Sequence, residues 1–334
     1  MPQKPTIPDP TGEISTKTKS VKRNHSAITM FNLLGLTSDP QLEILVFLFL
    51  FISYTLSLIE NLTIILLILG DSHLKTAMYF FLQNFSFLEI ALTTACVPTY
   101  LYIISSGNKA ISIKACFSQI FFIVLFGAAE YFLLAVMSYD HCVAICKPLH
   151  YVTIMNSRVC RNLILSFWVS GLLIILPPLG LSLNLEFFDF VIDHFFCDAF
   201  PILKNSCSDT WFIEQLVIFG GVLTFLMILV CVVLSYIYIV RMVLRLPSAQ
   251  QMKKPFSTCS SYMIVASIAY GSCFFVYIKP SAKYELAINN KDVSVFIVSV
   301  APLLNPFIYT LRNKQVKQSF HYTLKRLVLL SKKF

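Results

Sequence analysis

The sequence predicts an all-α integral membrane protein, built as a bundle of seven transmembrane helices. Three observations predict it. Of 334 residues, 57% are hydrophobic and only 13% charged, and the mean hydropathy is +0.73. That is more apolar surface than a soluble domain can bury. Seven stretches reach the roughly 20 mostly apolar residues that a membrane span requires. Finally, the Lys and Arg gather outside the apolar interiors of those stretches, more on one side than on the other.

Taken in chain order, residues 1–41 form an N-terminal tail. Its first part, MPQKPTIPDPTGEISTKTKSV, is polar and rich in Pro, Thr and Lys. It has no apolar core, so it reads as a disordered tail and not as a cleaved signal peptide. The bundle occupies residues 42–311. Its spans are Leu42–Leu69, Ala77–Leu101, Ile113–Tyr139, Asn162–Leu181, Trp211–Val240, Phe256–Ile278 and Val293–Leu311. Hydrocarbon offers the backbone no hydrogen-bond partners, so each span must be a helix. The connections are short, apart from the loop Ser182–Thr210. No internal repeat is evident, which argues against a transporter. Residues 312–334 form a C-terminal tail.

The basic residues set the orientation. One side carries Lys75, then Lys147, Arg158 and Arg161, then Arg241, Arg245, Lys253 and Lys254, then the Lys/Arg-rich C-terminal tail. The other carries Lys109, Lys114, Lys204, Lys279, Lys283 and Lys291. The positive-inside rule puts the C-terminus in the cytoplasm and the N-terminus outside. Asn24-His25-Ser26 is then a glycosylation sequon on the outer tail. Asn61-Leu62-Thr63 and Asn84-Phe85-Ser86 fit the same pattern by chance, inside spans. A net charge of +9 suggests nucleic acid at first sight, but charges scattered over membrane loops exclude it. Ten cysteines without a CxxC pair make a zinc site a poor reading.

Acids within a membrane point to function, because burying them is costly. Glu60, Glu89 and Glu130 lie inside spans, and Asp140 stands where the third apolar stretch meets a basic loop. Ile120, Ile123, Val124, Gly127 and Ala128 recur at helical spacing on one face of the third span.

Four motifs, in order, carry a family resemblance. MSYDHCVAICKPLHY (Met137–Tyr151) resembles the MAYDRYVAIC signature of odorant receptors. KTAMYFFLQNFSFLEI (Lys75–Ile90) resembles their LHTPMYFFL segment. KPFSTCSSYM (Lys254–Met263) resembles KAFSTCSSHL, and PLLNPFIYTLRNKQV (Pro302–Val316) resembles PMLNPFIYTLRNK. From about Asn24 onward the chain resembles vertebrate olfactory receptors of the rhodopsin-like, G-protein-coupled class, nearest to the 6C subfamily.

The resemblance implies a function and a set of residues. A small odorant would bind within the bundle, and a stimulatory olfactory G protein would raise cAMP. The chain would be no enzyme. It would sit in the plasma membrane of olfactory neuron cilia, in contact with lipid. Ile120, Ile123, Val124, Gly127, Ala128, Thr224, Tyr270, Phe274 and Tyr277 would line the ligand pocket; the plainer reading of each is helix packing. Cys116 and Cys197 would form a disulfide pinning the long outer loop. A second family pairing would leave Cys207 unpaired, because Phe188 stands where its partner cysteine is expected. Asn61, Glu89, Glu130 and Asn305 would face one polar cavity that can hold a sodium ion, or form a protonated structural network; no other cofactor is implied. Asn305-Pro306-Phe307-Ile308-Tyr309 matches NPxxY, with Pro306 as hinge, Tyr309 as switch and Tyr236 as its partner.

Several positions depart from the pattern. His141 replaces the Arg that follows the motif Asp, and Cys142 replaces the Tyr. His is shorter and lacks the guanidinium fork. The expectation is a weakened coupling surface; the plainer alternative is that Asp140 and His141 cap a helix end. Ala77 replaces a Pro and Ala269 a Phe. Glu60 replaces a Gly, and should be protonated or disturb helix packing. The alternative function is a receptor-like membrane protein with impaired coupling.

Overall fold

Proline and aspartate open the first helix. Pro40 fits the first turn, where no backbone donor is needed, and the Asp39 carboxylate accepts from the Gln41 N–H at 3.0 Å. The structure, a computed structural model, describes residues 29–244, 291, 293–312, 316–322 and 325, without the side chains of 243 and 307–312. The expected sixth span, Phe256–Ile278, lies outside the described residues, as does Asn24.

The helices among the described residues include α1 (Pro40–Gly70), α2 (Ala77–Ser106), α3 (Ile113–Cys146), the short α4 (Tyr151–Ile154), α5 (Ser157–Ser182), the short α6 (Ala199–Lys204), α7 (Trp211–Val243) and α8 (Ala301–Arg312). A π-helical turn, Phe296–Val300, leads into α8. Five of them, α1, α2, α3, α5 and α7, are long and apolar enough to cross a membrane. At 1.5 Å per residue even the 26 residues of α5 exceed the roughly 30 Å hydrocarbon core. The ends therefore project, and the helices outrun their apolar stretches. α2 continues from Leu101 to Ser106, and α3 from Tyr139 to Cys146. For α3 the apolar run ends at the first charge, Asp140, whereas the hydrogen-bond ladder of either helix runs until a cap stops it. For α2 the stop is Gly107, at φ 68°, a conformation that glycine adopts without strain.

α3 is the central helix, packed against α2, α5 and α7, while α1 packs on α2 and α8. The buried stripe of α1 reads Leu50, Ser53, Ser57, Asn61, Ile64 and Leu67, one face of a helix. Its other faces expose Ile44, Leu48, Ile52, Leu56, Ile59 and Leu66, as a lipid-facing surface should.

One feature is absent from an all-α expectation. Strand β1 (Met30–Leu33) is the middle of a small sheet, antiparallel to β2 (Ala110–Ser112) and parallel to β3 (Val191–Ile192). Phe31 and Leu33 are fully buried there. The end of the N-terminal tail is thus a folded part of the bundle's roof. Gly35 follows at φ 83°, and a Cβ there would sit 2.9 Å from the Tyr100 hydroxyl. That hydroxyl accepts from the Leu36 N–H at 2.8 Å, so the close approach needs glycine.

Candidate functional site

The sheet end of the bundle is closed by the loop between α5 and α7. Cys116, in the first turn of α3, is disulfide-bonded to Cys197 in this loop, with the Cα atoms 5.4 Å apart. Gln119, one turn along, binds both neighbours. Its Nε2 donates to the Ala95 carbonyl at 2.8 Å, and its Oε1 accepts from the Cys197 N–H at 3.0 Å. Gln119 is a positioning residue that sequence reading missed; a buried glutamine one turn after a cysteine was its only signal. His194 is buried in the same roof, stacked on Phe195 at 4.9 Å and edge-on to Phe196 at 4.3 Å. Burial holds its imidazole below the ordinary range; Asp198 and Asp193 pull the other way, and Lys291 reinforces the shift. The Lys291 ammonium donates to Asp193 at 2.5 Å and to the Gly35 carbonyl at 3.2 Å.

Beneath the roof lies a cavity of about 140 Å³ between α3, α5, α6 and α7. Ile120, Ile123, Val124, Gly127 and Ala128 of α3 line it, and Thr224 of α7 faces them. A Cβ built on Gly127 meets nothing within 4 Å, so this glycine leaves space that a side chain would fill. Tyr131, Ile175, Leu179, Ile213 and Phe225 complete much of the wall; Ser182 and Asp198 are polar groups at its rim. The Ser182 and Thr224 hydroxyls already donate to the Pro178 and Gly220 carbonyls, leaving lone pairs for a ligand. Tyr270, Phe274 and Tyr277 lie outside the described residues.

A polar cluster sits where α1, α2, α3 and α8 meet. Glu89 is 1% exposed, and its Oε1 accepts from Asn305 Nδ2 at 2.5 Å. Glu130 of α3 is its electrostatic neighbour. Asn61 donates to the Ser57 carbonyl at 3.0 Å. Three buried oxygens here, Glu89 Oε2, Asn61 Oδ1 and Ser299 Oγ, have no hydrogen-bond partner among the described residues. Unsatisfied buried oxygens are costly, and this set presents acceptors of the kind a hard cation takes. Among the described residues no group of three His, Cys, Asp or Glu gathers to hold a metal. Glu60 is half-buried with its Oε2 likewise unpartnered, yet α1 runs unbroken past it, so it does not interrupt the helix.

Pro306 lacks the N–H that would bond the carbonyl four residues earlier, on Pro302. The Ser57 hydroxyl donates to that freed carbonyl at 3.3 Å. α1 thus contacts the Pro306-containing turn of α8 through this bond. Tyr309 lies in α8, with its side chain outside the description.

At the opposite end Asp140 is 2% exposed, well inside α3. The helix continues six residues beyond it and is capped at Lys147, so Asp140 and His141 do not cap a helix end. The carboxylate accepts from the Tyr151 hydroxyl at 2.8 Å. Burial first, then the Asp140 charge and hydrogen bond, raise the Tyr151 phenol above its usual range; a bond from the Met78 amide opposes this. Ile239 of α7 is buried there, with Tyr236 of α7 and Cys142 and Ile145 of α3 packed against it. His141 is half-buried on the same turn. Ala77 occupies the first position of α2, where proline is tolerated. Cys207 is exposed and carries no disulfide.

Membrane-length helices around an apolar cavity of small-molecule size, roofed by a loop disulfide-bonded to the central helix, have the architecture of a ligand-binding membrane receptor. The sequence profile of the olfactory receptor family matches residues 49–327. Olfactory receptor 6C2 of Homo sapiens is 66% identical over 312 residues, covering 93% of this chain and 100% of that receptor. Olfactory receptors 6C68 and 6C74, also of Homo sapiens, are 62% and 56% identical with the same coverage. The chain belongs to the olfactory receptor family. It is therefore a seven-helix, rhodopsin-like G-protein-coupled receptor of olfaction, a membrane protein and not an enzyme.

Proposed function

We propose that the α3–α5–α7 cavity takes a small, volatile, mostly apolar odorant, and that the opposite end of the bundle activates a stimulatory olfactory G protein to raise cAMP. The observation that carries this is the convergence of Ile120, Ile123, Val124, Gly127, Ala128 and Thr224 on one apolar cavity, the usual form of a small-molecule site. A volume of about 140 Å³ is close to that of cavities that hold benzene, so the ligand is of that order of size. Asp140, Tyr236 and the Asn305–Tyr309 turn of α8 form the coupling end.

The roof faces the outside. A disulfide needs an oxidising compartment, and the Lys/Arg bias of the loops agrees. The C-terminus is then cytoplasmic and Asn24 is glycosylated; neuronal cilia follow from the family alone. A sodium ion would bind among Glu89, Glu130, Asn61 and Asn305, where Glu89 Oε2 and Asn61 Oδ1 have no hydrogen-bond partner among the described residues. It would offset one negative charge of the Glu89–Glu130 pair.

A second reading is favoured by one observation. Asp140 is engaged by Tyr151, and His141 lacks the reach and the fixed charge of arginine, so coupling would be impaired. Paired cAMP dose–response curves, normalised to surface epitope and run over a broad odorant panel, test both readings. A ligand response in the wild type that Gly127→Leu abolishes supports the pocket. A larger maximal response in His141→Arg supports impairment; an equal or smaller one removes it. An odorant whose response survives Gly127→Leu unchanged removes the pocket assignment.

A further inference from the structure

The cavity beneath the roof is long, and its polar groups stand toward its ends. Phe117 and Tyr131 of α3 both line it, and the helix rises about 21 Å between them at 1.5 Å per residue. Asp198 and Ser182 line the outer end, next to the roof, while Thr224 lies deeper, on α7. These groups share one polarity. The Ser182 and Thr224 hydroxyls give their protons to the Pro178 and Gly220 carbonyls, each at 2.7 Å, so toward a ligand they accept. The Asp198 carboxylate has about four lone-pair sites and no proton to give; Oδ1 takes the Ala199 N–H at 2.8 Å. Asp198 is also the one charged side chain of the wall among the described residues. The nearest cations do not answer it. Lys291 is engaged by Asp193 and the Gly35 carbonyl, and burial holds the neighbouring His194 below the ordinary imidazole range. Tyr131, at the inner end, has a contact of its own within the protein.

We infer that the pocket takes a small primary aliphatic amine in its protonated form, with the ammonium at Asp198 and Ser182 and the alkyl chain directed inward toward Gly127. The inference rests on the pocket reading above and adds the class of ligand. A primary ammonium presents three donors and no acceptor, the complement of a carboxylate beside a hydroxyl whose proton is committed. Charge enters an apolar cavity at low cost only when it is paired and hydrogen-bonded, and Asp198 supplies both conditions at the mouth. Below it the wall is apolar, with Ile120, Ile123 and Val124 along α3, which suits a hydrocarbon chain and no second charge. A carboxylic acid of the same length would set like charge against Asp198. An alcohol would satisfy the acceptors but leave the charge unpaired. Asp198 and Ser182 are therefore specificity-determining residues, and Gly127 makes room for the chain that follows the ammonium.

The test reads binding directly and needs no G protein. The full-length receptor in detergent is titrated with hexylammonium chloride, 1-hexanol or sodium hexanoate in one sodium chloride buffer near pH 7, and its unfolding temperature is followed. Hexylammonium should raise that temperature at concentrations about tenfold or more below those of 1-hexanol, because hydrogen bonds between charged groups are the strong ones. Hexanoate should have no effect. Asp198→Asn keeps an oxygen for the Ala199 N–H and removes the charge, so it should bring the amine to the level of the alcohol. Gly127→Leu should abolish the effect of both. The inference is overturned if 1-hexanol or hexanoate matches the amine in the wild type, or if Asp198→Asn keeps the preference. Either result, with the alcohol's effect still lost in Gly127→Leu, leaves the pocket reading standing. An amine effect that survives Gly127→Leu overturns the inference by placing the amine outside the cavity. A wild type that none of the three probes stabilises overturns it too, and leaves the pocket reading to its odorant panel. The wild-type ranking decides even if a variant does not fold.

Discussion

Tyr151 decides how Asp140 is held. A carboxylate 2% exposed at the end of a span needs a donor, and sequence alone showed only that something should stand beside it. A donor comes from eleven residues further on, across the turn into α4, a contact that no helical spacing encodes. Tyr151→Phe removes the donor while keeping the ring, leaving a buried acceptor unsatisfied at a cost of about 1–3 kcal/mol. Thermal unfolding of the purified receptor should show that loss, and an unchanged midpoint would mean that water or His141 replaces the phenol. The pH dependence has a definite sign. The phenol is raised above its unfolded value of 10.0, so its contribution is complete below that pH and is lost as pH rises through the folded value. The Tyr151→Phe deficit should accordingly shrink in alkaline buffer.

Loop elements carry the roof, and they were the least legible part of the chain. The Cys116–Cys197 pairing followed from family resemblance, but β1, β2 and β3 are too short to show a period. The loop also has a register that sequence alignment obscured. Phe187 pairs with Ser206 in an antiparallel bridge, the Cys207 N–H donates to the Glu186 carbonyl at 2.7 Å, and the Phe188 N–H donates to the Asn205 carbonyl at 3.1 Å. Glu186, not Phe188, is therefore opposite Cys207. Opposed residues have Cβ atoms about 4.5–5.5 Å apart, within a small adjustment of disulfide geometry. Glu186→Cys should form a bridge to Cys207, visible by non-reducing peptide mapping, while Phe188→Cys should leave Cys207 alkylatable; the reverse outcome would show that the register is wrong. His194 adds a pH dependence to the same roof. Its folded value is depressed by burial, so the neutral ring's contribution is present above about pH 6.5 and is lost as pH falls through the folded value. The neighbouring Asp193 and Asp198 soften the shift and Lys291 strengthens it. Acidification below about pH 6.5 should lower the unfolding temperature of the wild type, and His194→Phe should flatten that response. A variant as acid-sensitive as the wild type would place the titrating group elsewhere.

Across the whole molecule, what could be read in advance was what lipid dictates. Apolar runs gave the helices, because hydrocarbon leaves the backbone no alternative, but their ends were set by caps: α3 runs six residues beyond Asp140, and α2 stops at Gly107. Cavity residues such as Ile120 and Gly127 were legible as a face, since α3 turns that face inward. Contacts joining distant helices were not, because they depend on how helices rotate against one another. The Ser57 bond to Pro302 joins residues 245 apart, and the Glu89–Asn305 bond joins residues 216 apart. That second bond ties α2 to α8 at the centre of the bundle, and it carries the last prediction. Glu89 Oε1 serves Asn305, while Oε2 has no hydrogen-bond partner among the described residues. Glu89→Gln can keep an acceptor for Asn305, so the helix tie survives. It removes the negative charge that a sodium ion would need. A ligand that binds only the folded state stabilises it by mass action, by about 2.7 kcal/mol at a hundred times its dissociation constant. Replacing N-methylglucamine chloride with sodium chloride at equal ionic strength should therefore raise the unfolding temperature of the wild type and leave Glu89→Gln unmoved. Glu89→Ala should be less stable than either in both salts, since Asn305 then loses its acceptor. A wild type indifferent to sodium would instead assign the cluster to a protonated structural network, and a glutamine variant that still responds would place the ion away from Glu89.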